Sequence, residues 1–205
     1  MPNTPVSTFE VNTGVVDVGW CDFTVRVDTS SWKCRASYIG QHPLHDLVHS
    51  AIDLYTHIFE APLEEEDAVW DCRVTDEPGG ILIRAIPEWR NVRVQIFDFQ
   101  SDDPFWPEPK TSPAIPPVAD KVVDYWSYAE AIFHAAARAI ARQGFTGLRK
   151  AWEPHGWDVD FHFEVLPVEH FLYLAALVHD RSPRQSMSLA EEIALLRDIE
   201  ERHKS

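Results

Sequence analysis

Residues 18–59 read VGWCDFTVRVDTSSWKCRASYIGQHPLHDLVHSAIDLYTHIF, and their periodicity decides the fold class. In Val18–Asp28, Cys21, Phe23, Val25 and Val27 alternate with Asp22, Thr24, Arg26 and Asp28, the pattern of a half-buried strand. After a turn at Thr29–Ser30, the stretch Ser31–Ile39 resumes the alternation with Trp32, Cys34, Ala36 and Tyr38. Setting Val25 opposite Cys34 puts both apolar sets on one side of the sheet, so the register is self-consistent. Pro43 suits the first helical position. Leu44, Leu47, Val48, Ala51, Leu54, Tyr55, Ile58 and Phe59 then form one apolar face of a helix over Pro43–Phe59. His42, His45, Asp46, His49, Asp53 and His57 fall on the opposite face. That predicts solvent-facing histidines unless a later segment folds over them.

The same periodicities extend outward from this β-β-α unit. Thr8–Val16 alternates poorly and is a weak first strand, whereas Asp67–Thr75, Ile81–Ile86 and Asn91–Phe99 read as strands around Pro78-Gly79-Gly80 and a short turn at Glu88–Asn91. Ala119–Trp126 reads as a returning edge strand. Ser127 with Glu130 has the spacing of a capping box, and Gly144 stops the helix that follows. Phe145–Trp152 reads as a further short helix, Gly156–Val165 alternates, and Pro167–His179 is helical. Ser188 with Glu191 marks a second capping box, opening a last helix whose stripe Leu189, Ile193, Leu196 and Ile199 needs a surface to bury against. That surface is either the domain itself or a second copy of the chain. These elements predict an α+β fold: a largely antiparallel sheet of five or six strands, helices on one face and a helical C-terminal segment. Residues 1–180 form a single domain in this reading, and 181–205 the C-terminal helix.

Composition narrows the function classes. The chain of 205 residues carries a formal charge of −15, and Glu60–Glu77 alone holds eight carboxylates against Arg73. Phosphate backbones are bound by clustered Lys and Arg, so nucleic acid is a poor partner for this chain. An acidic surface fits solubility or a basic protein partner. Cys21, Cys34 and Cys72 form no C-x-x-C pair and lie in strands, where a free thiol acts as a small apolar group in a reducing compartment. No basic residue precedes Arg26, and the longest apolar run, Phe171–Val178, is too short to span a bilayer. The expectation is a cytoplasmic protein with no membrane partner.

Four groups of residues are candidates for chemistry or binding. His45 and His49 stand one helical turn apart with Asp53 a turn further on, a donor set suited to Zn²⁺. Asp46 stands where a zinc-protease helix carries glutamate, so H-E-x-x-H is absent, and a solvated helix face is the simpler reading. Asp158, Asp160, His162 and Glu164 point one way along a strand, as acid–base or divalent-metal ligands would, although the polar face of an amphipathic strand has the same letters. Glu64, Glu65, Glu66 and Asp67 form an acidic run with the charge to dock a basic partner. Asp102–Pro117 holds six of the fifteen prolines together with Phe105 and Trp106, which makes it a stiff loop that covers or binds something. There is no G-x-S-x-G elbow, Walker A run or G-x-G-x-x-G fingerprint, so no cofactor is expected.

The order of a hairpin, the helix Pro43–Phe59, a strand ending in Glu77-Pro78-Gly79-Gly80, Phe97-Asp98-Phe99, and a later Gly144-Phe145 with Leu148-Arg149-Lys150-Ala151-Trp152 resembles a loose group of uncharacterised bacterial α+β proteins. Some members of that group are thought to be immunity-type antagonists of secreted toxins. The resemblance covers Val18–Trp152 and brings no catalytic residues with it. It implies a non-enzymatic, acidic protein-interaction module. The alternative is a metal-dependent hydrolase using the Asp/His/Glu cluster or the helix histidines. A homodimer through the C-terminal helix is a third expectation.

Overall fold

A computed structural model describes residues 7–17, 20–37, 42–60, 68–76, 79–100, 116–152, 166–181 and 188–203. The fold is α+β, with two antiparallel sheets where one was expected. The first runs β1 (Phe9–Thr13), β2 (Trp20–Val27) and β3 (Ser30–Ser37). The second runs β4 (Trp70–Asp76), β5 (Gly79–Glu88), β6 (Asn91–Gln100) and β7 (Ala119–Asp124), each strand beside the next in sequence. The division falls where α1 (Pro43–Tyr55) and a π-helical turn (Thr56–Glu60) are inserted between β3 and β4. A helical excursion there lets the chain re-enter as the first strand of a new ladder. β3 lies against β4 without laddering to it. One parallel bridge, Ser7 to Val123, ties the lead-in of β1 to the second sheet.

The two-residue β2–β3 turn lies one position earlier than the sequence reading placed it. Val27 pairs with Ser30, Asp28 takes φ 53, and Cys34 faces Phe23 rather than Val25. The slip is two residues, so parity survives and the expected face still points inward: Cys21, Phe23, Val25, Val27, Cys34 and Ala36 are all buried. The weakly patterned first strand is genuine, with Phe9, Val11 and Thr13 inside.

In α1, Leu44, Leu47, Val48, Ala51 and Leu54 are all essentially inaccessible to solvent, and burial of each leucine or valine is worth about 1.5–3 kcal/mol. α2 (Tyr125–Trp152) packs across α1, and two tyrosines tie the seam. Tyr125 donates to the Ala51 carbonyl at 2.7 Å, and the Tyr128 hydroxyl meets Ser50 Oγ at 2.7 Å. Gly144, at φ 65 and ψ 165, breaks α2 where the sequence placed the stop, and helix resumes to Trp152. The expected Ser127–Glu130 capping box does not form. Asp124 takes that role, accepting the Ser127 N–H at 2.9 Å, while Glu130 pairs with Arg181. In α4 (Leu189–His203) the expected box is present: Ser188 N–H donates to Glu191 Oε2 at 2.8 Å, and Glu191 N–H to Ser188 Oγ at 3.4 Å. α4 packs on α2, with Ile199 2 % exposed and Ile193 left 42 % exposed. Among the described residues no helix is long and apolar enough to cross a membrane.

Candidate functional site

The α1 histidines are not the surface residues their helical positions predicted. His42 and His45 are buried and His49 is half-buried. The cover comes from α3 (Val168–Asp180), which packs on both α1 and α2. Its His170 ring stands edge-on to His49 at 4.2 Å between centroids, and the His45 ring is tilted by 39° to that of His49 at 4.5 Å. Three imidazoles thus share one seam between helices that begin 125 positions apart, at Pro43 and Val168. Burial, then the neighbouring His170 and His45, depress the pKa of His49, with Asp53 and Asp46 opposing. His170 Nδ1 is buried with no hydrogen-bond partner among the described residues.

His42 does a different job. As the N-cap residue of α1 its Nδ1 accepts the Leu44 N–H at 3.2 Å, which places the proton of the neutral ring on Nε2. Nε2 faces Cys21 Sγ at 3.9 Å. Burial pushes the imidazole down to about 3 and the thiol up to about 12. A thiolate–imidazolium nucleophile needs the opposite shifts, so this pair is a neutral structural contact at pH 7. Cys34 and Cys72 are likewise buried thiols outside any disulfide, as strand positions predicted.

His45 and His49 are neighbours, but the Asp53 carboxylate accepts the Trp70 indole N–H at 3.0 Å, and His45 Nδ1 lies 3.3 Å from Asp46. Among the described residues no group of three His, Cys, Asp or Glu side chains is arranged to hold a metal. Asp158, Asp160, His162 and Glu164, the acidic run Glu64, Glu65, Glu66 and Asp67, and Phe105 and Trp106 all lie outside the described residues.

Two features escaped the sequence reading. The first is the edge of β1. Its outward carbonyls at Val11 and Thr13 accept from Arg138 (2.9 Å) and Arg142 (2.7 Å), and Gln143 bonds both backbone groups of Val16 at 2.8 Å. Side chains of one helix therefore blunt a strand edge that would otherwise be open to pairing. Beside it lies an open cleft of about 530 Å³, lined by Phe9, Glu10 and Val11 on the strand and by Glu130, Ala131, His134 and Arg138 on α2.

The second is Trp89. It opens the two-residue turn between the paired Glu88 and Asn91, has φ 58, and is 85 % exposed. Such hairpin turns need positive φ at that position, which Gly, Asn or Asp normally supplies. The only signal in the sequence was a tryptophan inside a predicted turn. Val69, 42 % exposed, sits just before Trp70, whose partner on β5 is Ala85, so it lies at the same end of the sheet as the tip. In comparisons with protein-family models, curated proteins and solved structures, none matches this chain.

Proposed function

We propose that this chain is a non-enzymatic protein-interaction module, immunity-like in acting by occupying a partner. The observation that carries the reading is Trp89. A bulky residue in the left-handed region costs about 1–3 kcal/mol, and a tryptophan left in water forgoes its burial energy. Neither cost is repaid within the described fold, whereas exposed tryptophans are favoured anchors at protein interfaces. Charge supports a basic partner. The net charge is −15, and the described arginines 26, 84, 93, 181 and 202 are already paired with carboxylates. Glu64, Glu65, Glu66 and Asp67 immediately precede the stretch that carries Val69. The buried Cys21 thiol and His42 imidazole are held neutral, which favours scaffold over catalysis.

The test is affinity capture from the native host with wild-type chain and with Trp89→Ala, at low and high salt. A basic protein retained by the wild type, weakened by salt and lost with Trp89→Ala, is the expected result. No specific protein captured, or one indifferent to both salt and the substitution, would overturn the reading.

A further inference from the structure

The cleft between β1 and α2 contains an unusual charge balance. Its two rim carboxylates are turned to arginines from other parts of the fold: Glu10 pairs with Arg26 at 3.2 Å, and Glu130 with Arg181. Arg181 is held in place by its position over the Trp126 ring, 4.5 Å from the centroid. Arg138 is the cation of the lining itself. It gives one hydrogen bond, from Nη2 to the Val11 carbonyl, and no carboxylate of the described residues is in ion-pair contact with it. Burial and the neighbouring Arg142 weaken its hold on its proton, with Glu10 only partly opposing, as expected of a guanidinium short of counter-charge. One turn before Arg138 on the same face of α2, His134 also lines the cleft. The floor is apolar, formed by half-buried Ala131 and the few accessible atoms of Phe9 and Val11.

We propose that this cleft binds a small organic oxyanion, a carboxylate or a phosphate monoester, through the Arg138 guanidinium. Three features specify the class. The volume suits a small molecule. The remaining N–H groups of a guanidinium fixed by its bond to Val11 are matched by a planar or tetrahedral oxyanion. The apolar floor favours a ligand with a hydrocarbon body over a bare inorganic ion. The site is separate from Trp89 and does not rest on the partner reading. The chain's overall negative charge repels anions at long range and that repulsion is screened by salt, so binding here weakens little as salt rises.

The experiment is an amide-resolved NMR titration of the full chain with benzoate, phenyl phosphate and the neutral isostere benzamide. Saturable shifts at Phe9, Val11 and Arg138 with one or both anions are expected, with benzamide at least about tenfold weaker. Preference between the two anions assigns carboxylate or phosphate. Arg138→Gln is expected to weaken anion binding about tenfold. Because Arg138 also secures the β1 edge, Ala131→Leu serves as a second variant that fills the cleft and leaves the guanidinium intact, and it is expected to abolish the shifts. No saturable response to either anion, an equal response to benzamide, or undiminished binding in folded Arg138→Gln or Ala131→Leu protein overturns the proposal.

Discussion

The N-terminal end of α1 and the tip of the β5–β6 hairpin reverse the usual placement of residue types. Histidines, among the more polar side chains of the chain, are inside: His42 is fully buried and His45 is 7 % exposed. Tryptophan, among its largest apolar side chains, is outside at 85 % exposure. The two reversals have different physical character. The imidazoles replace water with protein contacts, since His42 caps a helix and His49 and His170 fill a helix seam. Trp89 gains nothing comparable from the described fold. Polar residues buried with partners belong to the scaffold, whereas an aromatic residue exposed under backbone strain is what the proposed interface rests on.

Acid is the strongest way to break the first half of this contrast. The folded pKa of His42 lies at about 3 against 6.5 in the free group. The unfolded chain therefore binds the extra proton first, and stability rises with pH across that window. The contribution is complete above pH 6.5 and is lost as pH falls, by up to about 1.4 kcal/mol per pH unit. The depressed His49 adds to this in the same direction. Urea unfolding at pH 7.0 and pH 4.5 is expected to show the loss, and His42→Asn, which keeps an N-cap acceptor without a titrating ring, is expected to flatten it. An unchanged slope in that variant would mean that the buried ring is not what titrates.

A smaller effect tests the neighbouring seam. Tyr128→Phe removes the partner of Ser50 Oγ in a buried site and is expected to cost about 1–2 kcal/mol in chemical denaturation. Ser50 keeps its bond to the Leu47 carbonyl, which places the expectation at the lower end of that range. The smallest effect has the opposite sign. Trp89→Gly relieves the positive φ and is expected to leave stability unchanged or to raise it by up to about 1 kcal/mol, although it removes a large aromatic side chain. Destabilisation by more than that amount would show that Trp89 is part of the scaffold, and the contrast would collapse.

Features set by near neighbours in the chain were legible from the sequence. The alternation of β2 and β3, the apolar face of α1, the break at Gly144 and the Ser188–Glu191 box depend on contacts within a turn or two of backbone, where periods of two and 3.6 apply. Features set by distant partners were not. The ladder was cut into two sheets by the inserted α1. Arg181, 51 positions along, pairs with Glu130 in place of the expected Ser127–Glu130 box, and α3 covered the face of α1 that periodicity assigned to solvent. The guarding of β1 by Arg138, Arg142 and Gln143 joins residues 127 to 129 positions apart, beyond any local pattern. Sequence alone thus determined which faces were apolar, because that is chemistry carried by each side chain. Tertiary structure decided which polar residues went inside and which aromatic stayed out, because the burial of a side chain depends on which distant elements pack over it.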